Sequence, residues 1–162
     1  MPEEEVIVPA PPTTYSINPI SHKNLPEIVR LNLRCFRNGE NYSKHTFNYL
    51  MNEPQSLSYR VVTAEGLTAG FVFVVVNPNG AAHITTLCVA PEHRRRGVAV
   101  MLLEHLHAML IEKGITTVVL EVRVSNFSAQ SLYKNAGYSV LQRVLKYYNN
   151  GEDGYLMLRS LG

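Results

Sequence analysis

The sequence predicts an α/β domain whose central sheet is mixed and mostly antiparallel, with one parallel, splayed strand pair and helices on both faces. Two observations support this prediction. Apolar, β-branched runs alternate with segments whose apolar residues recur every three or four positions. One strand–helix–strand unit spans residues 82–123, and such a crossover is right-handed and makes its two strands parallel. Short, turn-rich connections join the other strands, which favours antiparallel pairing.

The beginning of the chain differs in composition from the rest. Residues 1–13 contain four prolines and open with an acidic stretch, so we predict a flexible leader there. Residues 14–162 are expected to form a single domain that starts with a short strand over residues 15–20. The start of the chain lacks the basic and apolar regions of a secretory signal.

Two helices are predicted next. The first begins at Asn24-Leu25-Pro26-Glu27, which has the form of a capping box with proline in the first turn. It is broken where Gly39 begins a polar stretch. Ser43 can then cap a second, short helix that ends near Pro54.

The remaining pattern completes the sheet. Three strand-like runs separated by turn residues predict an antiparallel meander over residues 58–64, 67–77 and 81–89. A helix is expected from Gly97 to about Lys113, where Gly114 ends it. The last elements predicted are a strand over residues 116–123, a helix over 126–135 stopped by Gly137, and a hairpin of residues 140–148 and 155–161.

Composition excludes several classes of protein. A formal net charge of +2 is too mild for a nucleic-acid binder that lacks a basic stripe. The longest apolar run, residues 69–76, is too short to cross a bilayer. Two cysteines, Cys35 and Cys88, lie far apart without metal-type spacing and are expected to be free thiols in a reducing compartment. We therefore expect a cytoplasmic protein with no nucleic-acid, membrane or metal partner.

An arginine-rich loop lies between a predicted strand and a predicted helix. It consists of His93 followed by the run Arg94-Arg95-Arg96-Gly97-Val98-Ala99. Helix N-termini at the carboxyl end of a parallel crossover bind anions, and arginines add charge-assisted bonds to phosphate. A solvated basic loop that happens to precede a helix explains the same residues equally well. The loop alone leaves both interpretations open.

Four segments in order resolve this ambiguity. They are residues 83–89 (HITTLCV), Arg94-x-x-Gly97-x-Ala99, residues 120–126 (LEVRVSN) and Ala129-x-x-Leu132-Tyr133-x-x-x-Gly137-Tyr138. Together they resemble the GNAT superfamily of acetyl-CoA-dependent N-acetyltransferases. With residues 146–153 (KYYNNGED), the resemblance is closest to N-terminal acetyltransferases of the ribosomal-protein alanine and archaeal Ard1 types. It covers about residues 15–160.

The resemblance implies acetyl-CoA as cosubstrate and assigns roles to several residues. Backbone groups of Leu87, Cys88 and Val89 are expected along the pantetheine arm, and Asn126 near its end. The loop of Arg94, Arg95, Arg96, Gly97, Val98 and Ala99 is expected to hold the pyrophosphate. Tyr133 matches the general acid beside the thioester sulfur, so it is also expected to contact the cofactor. Glu121 matches the proposed general base.

Elementary chemistry supports these two catalytic roles, although each has an alternative. A carboxylate in the middle of an apolar strand is costly to bury unless it is paired or used. Glu121 could instead point to solvent or pair with Arg123, two residues further along the same face. Tyr133 could equally be a core aromatic whose hydroxyl is hydrogen-bonded.

The acceptor site is expected on loops. Glu40, Asn41 and Tyr42 resemble the loop that frames the peptide N-terminus in Ard1-type enzymes, although Gly39 stands where those enzymes often have proline. Tyr147 and Tyr148 match tyrosines that cover the peptide from the opposite side, and cross-strand aromatic packing is their alternative.

The predicted function is direct acetyl transfer to the α-amino group of protein N-termini, ribosomal or nascent chains included. An α-amino group has a pKa near 7.8 against about 10.4 for lysine, so deprotonating it costs roughly 3.5 kcal/mol less. Acetylation of lysine side chains or small amines is the nearest alternative. A CoA-binding partner subunit with little activity is another.

Overall fold

Seven strands form one sheet in the computed structural model, which describes residues 6–36 and 42–162. In chain order the elements are β1 (Tyr15–Pro19), α1 (Leu25–Cys35), α2 (Lys44–Asn52), β2 (Leu57–Thr63), β3 (Thr68–Val76), β4 (Ala82–Val89), α3 (Val98–Glu112), β5 (Thr117–Arg123), α4 (Phe127–Asn135), β6 (Ser139–Val144) and β7 (Gly154–Ser160). The strand order in the sheet is β1-β2-β3-β4-β5-β7-β6. No helix in the described residues is long and apolar enough to cross a membrane.

The predicted fold class is confirmed. β2, β3 and β4 form the antiparallel meander, and β6 and β7 form the final hairpin. β4 and β5 are the parallel pair joined by α3, and their register pairs Ala82 with Val118 and His83 with Val119. Beyond these two residue pairs the strands diverge, which opens a cleft at their carboxyl ends.

The sheet separates two apolar clusters. α3 packs on one face, where Leu102, Leu106 and Leu110 are fully buried. α1 and α2 cover the other face around Phe47 and Phe71. Burying apolar surface on both faces is what makes this layered arrangement stable.

Gly70 brings the beginning of α3 close to the sheet. A Cβ on this β3 residue would lie 2.8 Å from the carbonyl oxygen of Cys88 and 2.9 Å from a side-chain carbon of Val98. Glycine is therefore needed for close packing here. The N-terminus of α3 consequently lies directly against β4, at the mouth of the cleft.

The predictions of where helices begin and end are confirmed in part. Ser43 caps α2 by accepting a hydrogen bond from the Thr46 amide at 3.2 Å, and Gly114 follows α3 with a φ of +77°, as predicted. The capping box at the start of α1 is wrong. The Asn24 side chain accepts from the Ser21 amide at 2.9 Å, while Glu27 accepts from the Thr68 amide at 3.3 Å. Asn24 thus belongs to a local capping box with Ser21, one turn earlier, and only Glu27 has a tertiary partner.

Cys35 and Cys88 form a disulfide that joins the last residue of α1 to β4. The expectation of two free thiols is wrong, and the argument for a reducing compartment loses this support. The two positions are 53 residues apart in the chain. Their proximity follows from packing α1 against β4, which spacing alone does not reveal.

The final hairpin is shorter than predicted. β6 ends at Val144 instead of continuing to residue 148, because Lys146 adopts a φ of +50° that an extended strand does not allow. Tyr147 and Tyr148 therefore lie in the β6–β7 connection. A Cβ on Gly154, the first residue of β7, would lie 3.2 Å from the Tyr148 ring and 3.4 Å from the Tyr147 ring. Aromatic packing, the alternative explanation for this pair, therefore stays open.

Candidate active site

Two adjoining cavities occupy the cleft between β4 and β5. The larger, of about 580 Å³, lies against the N-terminus of α3, and the smaller, of about 380 Å³, lies over the middle of β5. Phe36, Leu87, Asn126 and Ala129 line both. A molecule bound in one cavity can therefore reach the other.

The larger cavity is lined by most of the residues predicted to bind the cofactor. They are Leu87, Cys88, Val89, Arg94, Arg95, Gly97, Val98, Ala99 and Asn126. Gly97 precedes α3 with a φ of +78°, so a side chain here would be strained. The first amides of α3 and two arginines meet in this groove, a donor set that suits a pyrophosphate. The groove thus fits the phosphate end of acetyl-CoA.

Arg96 is engaged elsewhere. Its guanidinium donates to the carbonyl oxygens of Ala10 and, at 3.3 Å, of Pro11 in the leader. It also lies 3.4 Å from the Tyr15 hydroxyl, which in turn contacts His93 Nδ1 at 2.9 Å. The structure brings Arg94 and Arg95 to the groove but not Arg96. The leader supplies the competing acceptors.

Asn126 lies where the two cavities join and caps a helix. Its side-chain oxygen accepts from the Ala129 amide at 3.1 Å and caps α4. Gln130, one turn into α4, donates to the carbonyl oxygens of Arg123 and Val124 at 3.0 and 2.9 Å. These bonds hold the end of β5 against α4, so the shared wall of the cavities is rigid.

Glu121 lines the smaller cavity and pairs with a histidine that the sequence did not single out. Its Oε2 lies 2.6 Å from Nε2 of His83 on β4. Both side chains are partly buried, at 20% and 25% exposure respectively. Arg123 pairs instead with Glu152, at 2.8 Å. Pairing with Arg123 and simple solvent exposure, the two alternatives for Glu121, are therefore both excluded.

Strand alternation gives only part of a signal for His83. His83 is opposite Val119 in the parallel pair, and Glu121 is two residues beyond Val119. Side chains two apart in a strand share a face, so this register places positions 83 and 121 on the same side of the sheet, and the register itself cannot be read from the sequence.

Tyrosines surround this carboxylate. Burial, then the nearby charge of Glu121, raises the pKa of Tyr42, whose hydroxyl donates to the Thr85 carbonyl at 3.4 Å. The same two causes raise the pKa of Tyr147. Tyr147 meets Tyr148 edge-to-face with ring centroids 4.9 Å apart. Glu40 and Asn41, the other predicted acceptor residues, lie outside the described residues.

Tyr133 lines the same cavity from α4. Its side chain is buried, and burial raises its pKa to about 12. Its ring lies 5.8 Å from that of Tyr138 in an edge-to-face arrangement. The hydroxyl is therefore protonated at neutral pH. Within the described part of the chain, no cluster of three or more His, Cys, Asp or Glu residues could hold a metal ion.

A family model described as Acetyltransferase (GNAT) family matches residues 25–138, and the chain belongs to this family. The resemblance noted from the sequence is thus confirmed.

The proteins similar to this chain include N-alpha-acetyltransferases. N-alpha-acetyltransferase daf-31 of Caenorhabditis elegans is 35% identical over 147 residues, which span 85% of this chain and 78% of that protein. The crystal structure of the ribosomal-protein-S18-alanine N-acetyltransferase from Escherichia coli matches with a TM-score of 0.82 and 27% identity, covering 92% of this chain and 95% of that one. Ard1 from Thermoplasma volcanium has the same TM-score and 26% identity, covering 90% and 97%.

Proposed function

We propose that this enzyme transfers the acetyl group of acetyl-CoA to the α-amino group of protein N-termini, by direct attack in a ternary complex. The observation that supports this most is the Glu121–His83 pair inside a tyrosine-lined cavity that opens onto the phosphate-binding groove. A carboxylate bordered by aromatic rings attracts an ammonium group, because charge and ring faces both favour a cation. Acetyl-CoA supplies the activated acetyl thioester.

The pair accepts the proton that the amine must lose. The α-ammonium group is bound near Glu121 and gives a proton, through a water molecule, to the Glu121–His83 pair. Removal of a proton from an α-amine is easier than from lysine by about 2.5 pKa units, so a single buried carboxylate–imidazole pair suffices. This difference favours N-termini over lysine side chains as acceptors.

The leaving side of the reaction involves Tyr133 and β4. Backbone N–H groups of β4 that face the cleft stabilise the negative charge that develops on the carbonyl oxygen. Tyr133 is assigned as the general acid beside the leaving sulfur. Thiols have a pKa of about 8.5, so they are stronger acids than this phenol. Tyr133 therefore donates a hydrogen bond to the sulfur while the C–S bond breaks, and as general acid it relays to the sulfur the second proton that the attacking nitrogen loses.

The test uses the variants Glu121→Gln and Tyr133→Phe, which keep side-chain size. Each is expected to lower kcat by roughly 10²–10⁴, the usual contribution of general acid–base catalysis, with the Kd of acetyl-CoA near that of the wild type. Rates are measured with labelled acetyl-CoA and a panel of peptides that differ in the first residue. Near-normal turnover in both variants would contradict the assigned roles.

Three acceptors separate the alternatives. A peptide with a free N-terminus, the same peptide N-blocked with a free lysine, and spermidine are compared under identical conditions. Our proposal requires acetylation at the free N-terminus. Transfer only to lysine or spermidine would replace it with the small-amine or lysine alternative. Binding of acetyl-CoA without transfer to any acceptor would indicate a CoA-binding subunit.

A further inference from the structure

We propose that Arg123 is a positioning residue for the acceptor: it holds the tyrosine loop, residues 145–153 between β6 and β7, against the junction of β5 and α4. This inference rests on the proposed function, because the tyrosine loop forms one wall of the proposed acceptor cavity. Arg123 is the last residue of β5 and itself lines that cavity. It lies two residues beyond Glu121, so one strand end carries both the proton acceptor and the support for the opposite wall.

Three contacts join Arg123 to the tyrosine loop. Its Nη1 donates to Glu152 Oε1 at 2.8 Å and to Asn150 Oδ1 at 3.0 Å. Its guanidinium carbon lies 4.1 Å from the centroid of the Tyr148 ring, in cation–π geometry. The side chain is only 15% exposed, so solvent screens these contacts weakly. One guanidinium thus holds both the polar end of the loop and the ring of Tyr148.

Glu152 extends the connection to α4. Its second carboxylate oxygen accepts from the Ser125 amide at 2.9 Å, just before α4 begins. Within the loop, the Tyr148 amide donates to the Glu152 carbonyl at 3.1 Å, which closes a turn. The bonds from Ser125 and Arg123 also lower the pKa of the Glu152 carboxyl. Glu152 is therefore ionised and linked at once to β5, α4 and the tyrosine backbone.

The neutralised charge of Arg123 has a chemical consequence for the acceptor. An uncompensated guanidinium in the cavity wall would repel an approaching ammonium group. Here Glu152 cancels the charge and Tyr148 covers the guanidinium face, which leaves Glu121 to attract the amine. The two possible roles of Arg123 thus predict opposite effects of its removal. Removing Arg123 leaves the Glu152 carboxylate uncompensated, and this charge alone would tighten acceptor binding, whereas loss of positioning would weaken it.

The same loop offers a matched control. Arg143 and Asp153 form an ion pair of 2.7 Å, and Asp153 also accepts from the Lys146 amide at 2.9 Å. The Arg143 side chain is 53% exposed and does not line either cavity among the described residues. Substituting Arg143 removes an arginine of β6 and its ion pair to the tyrosine loop without removing a contact of Tyr148.

The experiment compares Arg123→Met, Arg123→Lys and Arg143→Met in steady-state assays with the best acceptor of the peptide panel. Arg123→Met is expected to raise the acceptor KM at least tenfold, with kcat within about threefold of wild type and an unchanged Kd for acetyl-CoA. Arg123→Lys keeps the charge but cannot both pair and stack as a planar guanidinium does, so it should restore the KM only in part. Arg143→Met should match the wild type.

Hydrogen exchange of the tyrosine loop provides a second readout that needs no activity. Faster exchange at residues 145–153 is expected in Arg123→Met and not in Arg143→Met. If the wild-type enzyme acetylates no peptide, the proposed function fails, while this readout still tests the positioning role. A lowered acceptor KM, a KM within twofold of wild type, or equal effects in Arg123→Met and Arg143→Met would overturn the inference.

Discussion

His83 and Glu121 share one short contact, and this has a consequence for how their contributions combine. When two residues act as a unit, substituting either one already removes the function of the pair, so the effects of the two substitutions on the rate are not additive. We expect His83→Gln to lower kcat by about 10-fold or more, in line with general base catalysis. The double variant His83→Gln/Glu121→Gln should be little slower than Glu121→Gln alone. Rates that multiply instead would show two independent roles, and His45→Gln on α2 is the matched control.

His107 is a second histidine whose state is fixed by its neighbours. Its Nδ1 faces Arg159 Nη1 at 2.9 Å, and arginine can only donate, so Nδ1 is unprotonated and Nε2–H donates to the Tyr138 hydroxyl at 2.7 Å. Burial, then the charge of Arg159, lowers the pKa of His107 from 6.5 to about 4. The folded state therefore holds the neutral form.

This lowered pKa predicts the pH dependence of stability. Below pH 6.5 the unfolded chain binds a proton at position 107 that the folded chain refuses until about pH 4. The stabilisation is thus complete above pH 6.5 and is lost as the pH falls towards 4. We expect the free energy of unfolding to fall by about 1–2 kcal/mol more between pH 7 and pH 5 in wild type than in His107→Gln. Urea titrations measure this, and an unchanged pH slope in the variant would contradict it.

At the scale of elements, the disulfide joins α1 to the strand that borders both cavities. Closing a loop of 53 positions restricts the unfolded chain, which corresponds to about 4 kcal/mol in the chain-entropy description. Reductant should therefore lower the free energy of unfolding of the wild type by roughly 2–5 kcal/mol. The variant Cys35→Ala/Cys88→Ala should be insensitive to reductant. A wild-type unfolding curve that reductant leaves unchanged would rule out a stabilising role.

The bounds of some helices and strands could be predicted from the sequence better than those of others. α3 was predicted from its apolar periodicity and from glycines at both ends, because those signals are local. β6 was extended too far, because alternating residues continue to Tyr148 while the backbone turns at Lys146. The capping box at Asn24 failed for a similar reason. Glu27 has a stronger partner in Thr68, on a strand 41 residues away.

At the scale of the whole molecule, the order of strands and helices could be predicted, but side-chain pairing across the sheet could not. The crossover of residues 82–123 and the meander before it determine most of the topology. His83 with Glu121, Cys35 with Cys88, and Arg96 with the leader are pairs between distant segments. Their formation depends on packing angles and register, which a single sequence does not encode in a readable pattern. Most of the residues predicted for the site line the two adjoining cavities, while several of their contacts were missed.

The short pairing of β4 with β5, only two residue pairs long, has a consequence for the stability of the whole sheet. Four strands lie on the β4 side of this pairing and three on the β5 side, so the sheet consists of two parts that are joined by a short ladder. α3 packs mainly on β2, β3 and β4, which all belong to the four-strand part. A ligand bound between the two parts of the sheet contacts both, and its binding free energy adds to the stability of the folded state. The cleft is thus both the proposed place of reaction and the part of the sheet that the fewest strand pairings hold together.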